Sequence, residues 1–104
     1  MLRSLEERRV AAGDEDVRVA ALRTAVAGLR RRLAVLPADF PDRAIAEDEL
    51  AALAAMTDHG VPEAPRLHRS LLLIAGAIGS VSALSRALTD VRDAVDAFGG
   101  GPRR

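Results

Sequence analysis

Cysteine, lysine, asparagine, glutamine, tyrosine and tryptophan are all missing from this 104-residue chain, and Phe40 and Phe98 are its only aromatic residues apart from two histidines. Without cysteine there is no disulfide framework, no thiolate nucleophile and no thiolate metal site. The scarcity of aromatics removes the stacking platforms that bind single-stranded nucleic acid. It also means that any core is built from Leu, Val, Ile and Ala, which bury little area each but let helices approach closely. A net charge of either sign is missing too. Fifteen arginines balance fifteen acidic residues, so there is no global attraction to phosphate backbones or anionic membranes. The opening MLRSLEERRV has no apolar stretch of the kind a signal peptide carries, and cytoplasmic residence is the expectation.

Ala, Leu, Arg and Glu are abundant, all good helix formers, while β-branched and aromatic residues are too scattered for a sheet. The expected fold is all-α. A chain of this length makes one domain, burying roughly 65% of its unfolded surface. Its plan is an N-terminal arm over residues 1–13, a helical domain over 14–98 and a flexible tail over 99–104. The acidic run Asp14, Glu15, Asp16 sits where carboxylates meet the positive end of a helix macrodipole. Val19, Leu22, Val26, Leu29, Leu33 and Leu36 then recur at spacings of three and four, one buried stripe of a helix that Pro37 stops. A second helix is expected after PADFP, with Asp39 as N-cap and Ala46, Leu50, Leu53 and Thr57 facing inward, ended by Gly60.

The longest apolar stretch, Leu67 to Phe98, carries two seams. Leu67, Leu71, Ile74, Ile78 and Val81 form one, and Leu84, Leu88, Val91, Val95 and Phe98 the other. Two successive spacings of three, around Val81, interrupt the phase next to Gly76 and Gly79. The favoured expectation is a bundle of three helices whose long third helix bends near Gly76–Ser82, since a lone glycine costs a helix only about 1 kcal/mol. The alternative is a full break there, giving four short helices with Ser80 or Ser82 capping the fourth. The bent helix would be roughly 50 Å long and would overhang its partners, which predicts self-association.

Catalytic and ligand chemistry finds little purchase. His59 and His68 do not stand at helical metal-ligand spacing, and no serine lies in Gly-x-Ser-x-Gly. Glu47, Asp48 and Glu49 are successive on a helix, so they point about 100° apart and cannot converge. The GAIGS stretch lacks the Lys-Ser/Thr ending of a phosphate loop. Sixteen uncharged residues separate Arg69 from Arg86, but four of them are serines, short of a membrane span. Arg30, Arg31 and Arg32 read as a helix C-terminus, with no helix-turn-helix spacing to suggest nucleic acid. No catalytic, metal or cofactor site is expected, and neither is a nucleic-acid or membrane partner.

VRVAALRTAVAGLRRRL, FPDRAIAEDELAALAAM and PRLHRSLLLIAGAIGSVSALSRALTDVRDAV together resemble a family of short uncharacterised helical proteins from streptomycetes and related actinobacteria, a domain of unknown function. The resemblance spans roughly residues 17–99 and implies a bacterial cytoplasmic protein; it supplies no activity, ligand or catalytic residue. The Arg-for-Lys bias accords with GC-rich coding sequence.

The functional expectation is a non-enzymatic protein–protein interaction module, forming a homodimer or binding a protein partner. Its interface is expected at Gly76, Gly79 and Ala83, a groove of small residues, and at Leu84, Leu88, Val91, Val95 and Phe98. The alternatives are an adaptor or regulator docking on a separate enzyme or transcription component, and a carrier of a small apolar ligand or lipid.

Overall fold

A computed structural model describes residues 16–37 and 42–99. The expected N-terminal arm, Asp39 and residues 100–104 of the tail lie outside them; the N-cap position of the second helix is Asp42 rather than the expected Asp39, because the helix begins only at Arg43. Four α-helices make up the described fold: α1 (Val17–Ala34), α2 (Arg43–Met56), α3 (Ala64–Ile78) and α4 (Ser85–Asp96), with a single 3₁₀ turn, Ser82–Leu84, leading into α4. No strand is present among the described residues. α1 packs chiefly on α4 and α3 chiefly on α2, with α1–α2 and α3–α4 contacts closing the ring. Neighbours run antiparallel, as the juxtapositions of Arg18 with Phe98, Arg23 with Thr57 and His68 with Asp96 require.

The all-α expectation holds; three helices with a continuous, bent third one do not. The chain leaves the helix after Ile78. Gly79 still donates to Ala75 O at 2.8 Å, Val81 turns extended (φ −87°, ψ 105°), and Leu84 N–H closes the 3₁₀ turn on Val81 O at 2.9 Å. The reason lies in the interrupted phase. At 100° per residue, Leu84 would stand about 120° around an unbroken helix from Ile78, so only one of the two seams could face a given core. Breaking the helix folds both seams onto the same one. Ile78, Leu84, Val91 and Val95 are all fully or almost fully buried, within one cluster that includes Leu22, Leu29, Leu50 and Leu67. Burying each such side chain contributes about 1.5–3 kcal/mol, far more than the few helical hydrogen bonds given up. Neither Ser80 nor Ser82 caps α4; its N-cap position is Leu84, without a side-chain bond.

Elsewhere the periodicities describe the packing well. Val19, Leu22, Val26, Leu29 and Leu33 are the buried residues of α1, and Ala46, Leu50 and Leu53 those of α2, with Thr57 buried at its end. α2 ends earlier than expected, at Met56 with Thr57 as its C-cap, so Gly60 does not end the helix; it lies in the turn beyond, at φ +96°, a left-handed conformation in which a Cβ is strained. Pro65 lies inside the first turn of α3, where its missing N–H is no loss.

Candidate interaction surfaces

Helix ends are secured first. Asp16 is the N-cap of α1, its carboxylate accepting from Arg18 N–H at 2.8 Å and from the Arg18 guanidinium Nε–H at 2.9 Å. The guanidinium bond, and after it the backbone bond, hold the Asp16 carboxyl at about 2, below its usual 3.8; the same pairing raises Arg18. Arg18 also lies over the Phe98 ring, 4.9 Å from its centroid, and so pins the end of α4 to the start of α1.

Two further arginines satisfy the carbonyls that helix C-termini leave open. Arg43 donates to Leu36 O at 2.6 Å and pairs with Glu47 at 2.9 Å, while Arg23 donates across to Thr57 O at 3.1 Å. His68 has Nδ1 3.0 Å from Ala64 O and Nε2 3.4 Å from an Asp96 carboxylate oxygen, which places the start of α3 beside the end of α4. These contacts brace the bundle. Among the described residues no group of three or more His, Asp or Glu side chains could hold a metal ion. His59 is exposed beside a shallow recess of about 440 Å³ at the α2–α3 turn.

The residues that the sequence nominated for an interface fall into two sets. Leu84, Leu88, Val91 and Val95 are buried in this chain's own core, and Phe98 packs partly buried against it; a second chain cannot reach the four buried ones while the fold holds. Gly76, Gly79 and Ala83 are exposed, but they belong to α3, its terminal turn and the 3₁₀ turn. The break distributes what a continuous helix would have aligned.

Two surfaces remain that the periodicity did not single out. Between α1 and α4 runs an open groove of about 1130 Å³, floored by small residues such as Ala21, Gly28, Ala87 and Ala94, with Val17 and Val35 at its two ends. Both valines are about four-fifths exposed. The signal for this groove was present in α1, where Ala21, Ala25 and Gly28 repeat at four and three beside the Leu/Val seam. The second surface is on α3, where Leu72 and Leu73 are exposed at 72% and 48% next to Arg69 and Gly76. No helix among the described residues is long and apolar enough to cross a membrane.

An antiparallel ring of four short helices with wide small-residue and apolar faces defines a small helical-bundle protein. The chain belongs to a family of unknown function, DUF5955, whose model matches residues 11–99. No curated protein and no solved structure matches it.

Proposed function

We propose that this protein is a non-enzymatic helical interaction module that self-associates, in the cytoplasm of an actinobacterial cell. The observation that carries the reading is the α1–α4 groove: a long surface floored by Ala and Gly, with two large apolar side chains standing in solvent at its ends. Such a surface lets another helical face come close and covers Val17 and Val35 when it does. Size-exclusion chromatography with light scattering tests it. The expected mass is twice the 11.0 kDa of one chain; a monomer at micromolar concentration, unchanged on concentrating, would sink the reading.

A second reading, an adaptor that docks on a separate protein, is favoured by Leu72 and Leu73. They lie on α3, diagonal to α1 in the ring, and so remain open to a partner when the groove is occupied. Replacing both with Ser while retaining the dimer mass should abolish capture of any protein that co-purifies specifically with the wild-type chain; capture that survives the change counts against this face.

A further inference from the structure

The α1–α4 groove has a direction. Arg31 and Arg32 from the end of α1 and Arg86 from the start of α4 gather at one end, while Asp93, with Asp90 nearer the middle, stands toward the other; all five are exposed. At 1.5 Å per residue, Arg31 lies about 21 Å from Val17, most of the way along the groove, and Asp93 about 6 Å from Ala97 at the opposite end. A twofold axis lying across the groove, in the plane of the interface and perpendicular to the groove's length near Ala25 and Gly28, exchanges these ends. It lays the arginine end of one copy over the aspartate end of the other, twice, and brings Val17 of each copy toward Val35 of its partner.

Resting on the self-association reading above, we infer that the occupant of the groove is a second copy of this chain, docked antiparallel about that twofold, with Arg31, Arg32 and Arg86 at the end that meets Asp93 of the partner subunit. An occupant of one charge sign, such as a nucleic acid or an acidic peptide, would be held at one end and repelled at the other. A surface that carries both signs at opposite ends is complementary to itself, which is the requirement of an isologous interface. The Ala and Gly floor sets no side chain beyond Cβ between the backbones. The matched valines supply apolar cover at each end.

Charge reversal tests the register separately from self-association. One variant carries Arg31→Glu, Arg32→Glu and Arg86→Glu, the other Asp93→Arg; all four side chains are exposed, and far-ultraviolet circular dichroism checks that both variants keep the helical content of the wild type. Each alone sets like charges face to face, so its dimer Kd should rise at least about tenfold. Mixed at equal concentration, they should form a heterodimer, because every reversed charge then meets its opposite. If each variant dimerises as tightly as the wild type, or if the mixture gains nothing over the separate variants, the twofold register is overturned while self-association stands. A monomeric wild type overturns both. Because the chain has no cysteine, Gly28→Cys gives an independent readout: it should cross-link to its own copy under mild oxidation, whereas Leu72→Cys, away from the groove, should not. The reverse pattern also defeats the proposal.

Discussion

Gly76 and Gly79 stand three residues apart and meet opposite surroundings. A Cβ at Gly76 would touch nothing within 4 Å, whereas one at Gly79 would fall on the Ala75 carbonyl oxygen. Gly79 therefore lets the chain turn tightly against the last turn of α3. Gly79→Ala should destabilise by about 1–3 kcal/mol, and Gly76→Ala should be neutral or stabilise by up to about 1 kcal/mol; urea midpoints at constant m separate the two. Asp16 yields a prediction in pH. Its carboxyl titrates at about 2 in the fold against 3.8 ordinarily, so the native state releases this proton more readily than the unfolded one. Its stabilising contribution is present above about pH 4 and is lost as the pH falls toward 2. Asp16→Asn keeps an acceptor at the cap but has no charge to lose. The Tm difference between wild type and variant should therefore shrink across that window, and a constant difference would show that the Arg18 pairing contributes nothing.

Elements follow from how seams meet. The two seams of Leu67 to Phe98 were legible as spacings, and so was the interruption between them. Whether the interruption bends or breaks the helix depended on where the rest of the core stood, because only one core is available to both seams. Ile78 and Leu84 flank the break and are both buried, so Ile78→Ala and Leu84→Ala should each cost about 2–5 kcal/mol. An overhanging half-helix covered by a second chain would instead make the Leu84 loss depend on protein concentration; denaturation at two concentrations distinguishes the cases. Arg43 shows what spacing cannot reveal. Its pairing with Glu47 is an ordinary i, i+4 match, but its bond to Leu36 O exists only because the connection returns α2 to the end of α1. Arg43→Met should lower stability by about 1–2 kcal/mol, read from the same urea transitions.

For the whole molecule, zero net charge conceals an uneven distribution, with arginines at one end of the α1–α4 groove and Asp93 toward the other. Assembly through that face should make Tm rise with protein concentration. The same rise should persist in the Leu72→Ser, Leu73→Ser double variant, whose substitutions are on an exposed part of α3 and should change monomer stability by less than about 0.5 kcal/mol. A flat Tm in the wild type, measured by calorimetry over a hundredfold range of concentration, would remove the linkage. Of the surfaces, sequence periodicity found the small residues of α3 and the 3₁₀ turn but passed over the groove, because Ala21, Ala25 and Gly28 acquire meaning only beside Ala87 and Ala94 of α4.

By itself the sequence determined the helical class, the buried stripes of α1 and α2 and the site of the phase change near Val81, since each depends on residue spacing or local backbone preference. The tertiary structure alone decided that Leu84, Leu88, Val91 and Val95 face this chain's own core, and that α1 and α4 share an outer groove. Those outcomes turn on which helix lies beside which, and a helix carries no mark of its neighbour until the chain has folded and the hydrophobic seams have closed on one another.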